Sequence, residues 1–414
     1  MAAATSIPAI YESWKADRTV TQNVEEIVRL FYGPDKVVVS EFNTPGLKVF
    51  DILSHILASR QTENERFFWE RVVSPFAKML DVANYALPVQ CAFILFVATR
   101  VINIMGPDKL CMPPSILTID GSPIELSWII PSSTLKGIGD DKPNRAIRFA
   151  FEPRDPQTGK FLNGSKVLDY YSGAGNIGGL VKVETNSMLW RDKIEQLMFP
   201  DNAQNDSEEV PPGSRFMLGL DFNFSGTIIL KAYYVTFRAA PWDPNQTPVN
   251  TQSPVCLGES DLSPFNPLIS GLDPSLSGAF DLFIDYTKSI DKELRPGFEI
   301  ISTDCVSPGS NRLKLYCRTM KGTSWDNAKS GFTLGGRLKG PEMDAALDVL
   351  QQLWDAMFPN AVKNHTQPLE RSEDVVKAEQ NLHPLGGLLY YYEFVPGQNT
   401  VFPKIYLPIR QVLI

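Results

Sequence analysis

Four short segments of this sequence each place a fixed positive charge in a strand-like setting: Arg148, Lys231, Arg312 with Lys314, and Lys404. Arg148, Lys231, Lys314 and Lys404 follow one another at intervals of 83, 83 and 90 residues, an internal repeat at the level of pattern. In three of the four a tyrosine stands two residues further on: Tyr233, Tyr316 and Tyr406. Side chains two apart on a strand point the same way, so each strand offers one face a cation and, in three cases, a phenol. A solvated outer face of Lys and Tyr is one reading. Against it, the intervening residues are apolar: Leu230 and Ala232, Leu313 and Leu315, Ile405 and Leu407. If that aliphatic face packs on helices, the cation face lines an interior, as in a closed antiparallel barrel with helices outside. Cations converging in a lumen require an anion, and phenol rings beside them require an apolar or cationic group. A prenyl diphosphate meets both requirements.

The elements that must position these residues are legible as paired strands. Pro123 to Ile130 pairs with Arg145 to Phe151, and Phe216 to Phe222 with Thr227 to Val235. Phe298 to Asp304 pairs with Arg312 to Cys317, and Leu388 to Phe394 with Pro403 to Ile409. Gly and Pro stand where hairpin turns need them, at Gly226, Pro308-Gly309 and Pro396-Gly397. Helical spacing dominates from about residue 45 to 105, after a polar lead-in punctuated by Pro and Gly. A further helix carries Met343, Ala346, Leu347, Leu350, Leu353, Trp354 and Met357 on one face and stops at Pro359.

Composition narrows the classes of partner. The 414 residues are 43% hydrophobic and 21% charged, ordinary for a globular chain with a large core. The net charge is −8 and no basic block stands out, so a nucleic-acid partner is not expected. Cys91, Cys111, Cys256, Cys305 and Cys317 form no CxxC and no metal-ligand spacing. Their odd count and wide spacing suit free thiols, and the N-terminus lacks a signal-peptide pattern, so a cytoplasmic location is expected. With only His55, His365 and His383, a His-based metal site or a Ser-His-Asp triad is poorly supplied. Val82 to Thr99 has no charged residue but contains Asn84, Pro88 and Gln90; it reads as a buried helix, not a membrane span. Gly173 to Gly178 fits GxGxxG but lacks the preceding strand of a dinucleotide site, and β-like alternation follows it at Leu180 to Glu184. Asp140-Asp141 lacks the third Asp of a metal-diphosphate motif, and Asp201 to Glu209 reads as a solvated acidic loop.

Several stretches, in order, resemble the fungal aromatic (indole) prenyltransferases of the dimethylallyltryptophan synthase family. They are Phe68-Trp69-Glu70-Arg71, Phe76 to Leu80, Ala83-Asn84-Tyr85, Ser122 to Ser127, Ile147 to Pro153, and Phe332 to Arg337 running into Leu353-Trp354-Asp355. The similarity extends from about residue 45 to the end. It implies an α+β fold in one domain over residues 46–414, after a variable lead-in over 1–45. That fold is a ten-stranded antiparallel β-barrel of five ααββ-type units with surrounding α-helices, the ABBA prenyltransferase barrel. Four hairpins are present and the sequence stops soon after the last, so the expected barrel lacks its final β-hairpin unit.

The resemblance also implies a reaction and a set of roles. The reaction is transfer of a prenyl group, dimethylallyl first among the choices, from its diphosphate to an aromatic carbon of an indole-type metabolite, by electrophilic substitution through an allyl cation. Glu125 accepts a hydrogen bond from the indole N–H, and Ile116 and Leu117 join it at the aromatic substrate. Arg148, Lys231, Arg312, Lys314 and Lys404 hold the diphosphate without a metal or other cofactor. Tyr233, Tyr316 and Tyr406 shield the cation. A homodimer is compatible with the resemblance. Two departures bear on the acceptor: Met217 stands where tryptophan C4-prenylating relatives have a Lys, and Glu299 where they have a carboxylate-binding Arg. A larger indole, such as a cyclic dipeptide or an indole terpenoid, is therefore expected over free tryptophan. The rival expectation is a shortened, inactive member that binds prenyl diphosphate without turnover.

Overall fold

The structure, a computed structural model, describes residues 8–33, 48–107, 115, 117–118, 122–128, 147–198, 216–235, 262, 265–291, 295–318, 324–357 and 388–407. Ile116, Asp140-Asp141 and Asp201 to Glu209 lie outside the described residues. The chain forms two compact units, residues 1–184 with 216–232, and residues 185–215 with 233–414.

The first unit opens with α1 (Val20–Tyr32), inside the segment that reads as a polar lead-in. Thr19 and Gln22 form a reciprocal capping box at its start. Its buried residues Val24, Ile27 and Val28 recur at helical spacing and seal one face. It is followed by α2 (Val49–Leu57), α3 (Glu63–Phe68), α4 (Ser74–Val82) and α5 (Leu87–Phe96). The charge-free stretch is the helix the sequence suggests: Val89 to Phe96 are all buried, and α5 packs on α1, α2 and α4. The strands are β1 (Ile124–Trp128), β2 (Ile147–Phe151), β3 (Phe216–Phe222) and β4 (Ile228–Val235), with α6 (Gly164–Ser172) packed on β3. GxGxxG follows helix α6, not a strand, which removes the dinucleotide reading. The alternation predicted at Leu180 to Glu184 yields only one isolated bridge, Val181 to Ile228.

Pairing in this unit is antiparallel, with Arg148 opposite Asp221, Phe149 opposite Leu220 and Ala150 opposite Gly219. Phe149 and Phe222 pack with Phe76 of α4 at centroid distances of 4.7 to 5.0 Å, so one sheet face is sealed by helices. Asn84, in the left-handed region at φ 59°, turns the chain out of α4. Tyr85 is thereby buried. Its hydroxyl donates to the Phe222 carbonyl at 2.6 Å and accepts from the Ile147 N–H at 3.3 Å, tying β3 to β2.

The second unit contains α7 (Leu189–Met198), α8 (Asn266–Leu272), α9 (Ser277–Ser289), α10 (Trp325–Thr333) and α11 (Pro341–Met357). Its strands are β5 (Gly297–Asp304), β6 (Leu313–Arg318), β7 (Leu389–Phe394) and β8 (Phe402–Tyr406). Strand order follows chain order, and among the described residues each hairpin predicted from sequence is present; residues 129–130, 145–146 and 408–409 of the predicted strands lie outside them. In β7, Tyr390 and Tyr392 point to the helices: their hydroxyls donate to the carbonyls of Asn327 (2.9 Å) and Gly331 (3.1 Å) in α10. The motif Phe332 to Arg337 is the cap of that helix. Leu334, Gly335 and Gly336 all have positive φ, and the Gly335 N–H returns to the Ser330 carbonyl.

Gly331 lets α10 lie directly on β7. A Cβ there would overlap the Tyr390 ring. Gly331→Ala is therefore expected to cost about 1–3 kcal/mol by overpacking, more than the ~1 kcal/mol gained in helix propensity. Denaturant unfolding measures the balance; a stabilised variant would show that the close approach is not needed.

Candidate active site

Strand alternation divides the predicted site residues as the sequence requires. In the first unit, Arg148 and Ala150 of β2 share a face with Gly219 and Asp221 of β3 and, through register, with Glu125 and Ser127 of β1. Asp221 is the centre of this group. Its carboxylate lies 2.6 Å from Lys231 Nζ and 2.9 Å from Arg148 Nε. The Arg148 approach is an ion pair without the alignment of a hydrogen bond. Lys231 is only 2% exposed and Asp221 5%, whereas Arg148 is half-buried.

Glu125 keeps accessible surface, yet protein crowds it, and that desolvation raises its carboxyl above the ordinary carboxylate value. The accessible surface decides whether a ligand can reach it; the crowding decides its charge. Leu117 is half-buried, with its N–H on Ser115 Oγ at 3.0 Å. Met217 is buried and lies on the Asp221 side of β3 by alternation.

In the second unit the same arrangement is more heavily built. Arg312 Nε meets one oxygen of Asp304 at 2.6 Å, and Lys314 Nζ meets the other. Arg312 Nη1 lies 3.2 Å from each oxygen of Glu393, which also accepts from the Tyr391 hydroxyl. Burial works to raise the Glu393 carboxyl. Arg312, Lys404, Tyr391 and Lys314 outweigh it and hold the group below the ordinary carboxylate value. Lys404 sits over the Tyr391 ring at 4.8 Å.

The tyrosines gather around Tyr316. Its ring centroid is 6.1 Å from Tyr233, 5.1 Å from Tyr391 and 6.4 Å from Tyr406. Such pairs contribute about 0.5–1.5 kcal/mol each beyond burial. All three predicted tyrosines thus come together, and Tyr391 joins them. Strand β6 also runs one residue beyond its predicted end. Arg318 therefore falls on the same face as Lys314 and Tyr316, 2.7 Å from Glu299 at a β-bulge in β5. Glu299 is 1% exposed, and its desolvation raises its carboxyl although Arg318 opposes the shift.

Sequence reasoning named the cations and missed their carboxylates. The signal was present: Asp221, Asp304 and Glu393 recur at 83 and 89 residues, nearly the interval of the cations. Among the described residues no group of three or more His, Cys, Asp or Glu is arranged to hold a metal ion.

Residues 64–413 match the family described as tryptophan dimethylallyltransferase. Among curated relatives, 4-O-dimethylallyl-L-tyrosine synthase of Claviceps purpurea is 23% identical, across 82% of this chain and 71% of its own length. Xanthone prenyltransferase A of Emericella nidulans is 26% identical, across 90% of this chain and 82% of its own. The solved structure of NotF in complex with brevianamide F and DMSPP superposes with a TM-score of 0.58 at 22% identity, covering 86% of this chain and 80% of that one. AnaPT from Neosartorya fischeri gives 0.57 at 18%, covering 87% and 80%. At these identities the structural likeness speaks for the fold: antiparallel hairpins alternating with helices, as in these prenyltransferases.

Asp221→Asn removes the counter-charge that stands 2.6 Å from a nearly sealed ammonium. Breaking a buried pair from one side costs about 3–5 kcal/mol, and urea unfolding at neutral pH is expected to register a loss of that size. A loss under about 1 kcal/mol, the range of an exposed pair, would mean that Lys231 is not held by Asp221.

Proposed function

The chain belongs to the tryptophan dimethylallyltransferase family, and we propose that it transfers a dimethylallyl group from its diphosphate to an aromatic carbon of an indole-type acceptor. The observation that carries this reading is the shared face on which Arg312 and Lys314 stand beside Tyr316, Tyr391 and Tyr406. A cationic end and an aromatic end on one strand face are what an allylic diphosphate needs.

In this reading the carbon–oxygen bond of the allylic diphosphate lengthens, and its electron pair leaves on the diphosphate. Arg312 and Lys314, with Lys404, stabilise the growing negative charge by charge-assisted hydrogen bonds. Arg148 and Lys231 have the same role. The tyrosine π faces stabilise the allyl cation left behind, and their bulk keeps water from capturing it. The acceptor carbon then attacks, forming the new carbon–carbon bond, and the ring proton passes to the released diphosphate, which restores aromaticity. Glu125, ionised, accepts the indole N–H and makes the ring more electron-rich as it attacks. Compensation of the diphosphate comes from side-chain cations in this scheme, with no role assigned to a metal.

The acceptor is an indole larger than free tryptophan. Support comes from Met217, which brings no proton-handling amine to its face, and from Glu299, whose carboxylate is already committed to Arg318. The reading includes a cytoplasmic setting, to which the unpaired, buried thiols of Cys91, Cys305 and Cys317 are suited.

Two measurements test this scheme. Arg312→Ala removes a charged donor, so the affinity for dimethylallyl diphosphate should fall by about 1.5–3 kcal/mol; unchanged affinity in a folded variant by titration calorimetry sinks the assignment. Glu125 must be ionised to accept the N–H, and desolvation raises its carboxyl, so transfer should decline on an acid limb above the ordinary value of 4.5. Glu125→Gln should lower transfer and abolish that limb. Full transfer with the limb retained would assign the titration, and the acceptor contact, to another group.

A further inference from the structure

Arg312 is gripped unequally on its two sides. Asp304 meets Nε at 2.6 Å, a short and directed contact, and the same carboxylate holds Lys314. Glu393 meets Nη1 through both of its oxygens at 3.2 Å, a longer and divided contact. The Arg312 side chain keeps 30% of its surface. Three cations, Arg312, Lys314 and Lys404, here face two carboxylates, Asp304 and Glu393. The cluster is thus largely neutralised before any ligand arrives.

Resting on the reading of Arg312 as a diphosphate ligand, we propose that Glu393 is an exchangeable counter-ion. It holds the outer edge of Arg312 in the ligand-free site, yields that edge to diphosphate, and by its remaining charge limits how tightly diphosphate is kept. Asp304 does not exchange; it fixes the guanidinium from the Nε side and keeps Lys314 in place. When Arg312 turns to the ligand, Glu393 retains the Tyr391 hydroxyl, so the ring packed against Tyr316 stays where it is. Glu393 is a positioning residue in this scheme: it acts through Arg312 and Tyr391. Its repulsion of the leaving diphosphate favours release, so affinity is given up in favour of turnover.

The sign of the expected effect separates this role from a structural one, because damage to a site weakens binding. Glu393→Gln keeps shape and an acceptor for Tyr391 but removes the charge. The probe is inorganic diphosphate, titrated calorimetrically into the full chain. Removing one like charge near a partly buried anion should tighten its binding about tenfold. The KM for dimethylallyl diphosphate and kcat should fall together as release slows. Glu393→Met, also uncharged and of similar volume, carries the same expectation should the Gln variant fail to fold. Glu393→Asp keeps the charge and shortens the side chain, so it should not tighten diphosphate binding; a gain equal to that of Glu393→Gln would show that loosening, not charge, tightens binding, and overturns the proposal. Unchanged or weaker binding by a folded Glu393→Gln, with binding lost in Arg312→Ala, overturns the role of Glu393 and leaves the diphosphate site standing. Undiminished binding by Arg312→Ala overturns the site reading, and this inference with it.

Discussion

A lysine ammonium sealed from water must have a carboxylate against it. Lys231 and Lys314 are each 2% exposed, and each meets an aspartate, Asp221 and Asp304. An isolated buried charge would cost several kcal/mol or lose its proton. The pairing therefore fixes more than charge. Asp221 sits near the end of β3 and Asp304 at the end of β5, and each cation stands on the strand that follows. A one-residue slip of register would turn every side chain to the opposite face and separate the charges. The hairpin turns, the strand lengths and the helices packed behind the strands all have to be consistent with these contacts.

The two faces of the strands carry different kinds of interaction. Toward the helices, packing is apolar and aromatic, as in Phe149 and Phe222 on Phe76, and buried hydroxyls find backbone carbonyls, as with Tyr390 and Tyr392 on α10. On the other face, charged pairs stand next to rings, and Glu393 joins the two by holding Arg312 and Tyr391 together. Three successive tyrosines, Tyr390 to Tyr392, thus serve different ends according to which way alternation points them.

Strand pairs, their turns and the facing of the cations were legible in the sequence because they rest on local rules. Alternation has a period of two, and Gly and Pro mark the turns. What was not legible needed register. Tyr391 could not be separated from Tyr390 and Tyr392 by residue type, and only its place opposite Tyr316 assigns it to the site. Arg318 was missed because its strand runs one residue past Cys317. The helix α1 was missed for another reason: Thr19 with Gln22, and Val24, Ile27 and Val28, are ordinary helix signals, masked by the surrounding Pro and Gly. The acidic partners were overlooked because a search for an anion site looks for cations, although Asp221, Asp304 and Glu393 repeat with them.

The repeat also separates two kinds of specificity. Cations, carboxylates and tyrosines recur with the hairpins, and Arg148, Lys231, Arg312 and Lys314 each meet a carboxylate, so changing one of these cations disturbs a paired partner. Glu125, Met217 and Leu117 do not belong to that recurring set; they lie on β1, on β3 and in a loop. Substitutions there meet fewer paired charges, although Met217 is buried and needs a replacement of similar volume. In the proposed scheme, acceptor choice is therefore free to vary while the handling of an allylic diphosphate is held fixed by electrostatics. On this argument a change of acceptor should be sought first at Met217 and Leu117, where neither side chain carries a charge, and last at Arg312 or Lys314, where loss of the charge removes a partner from buried Asp304.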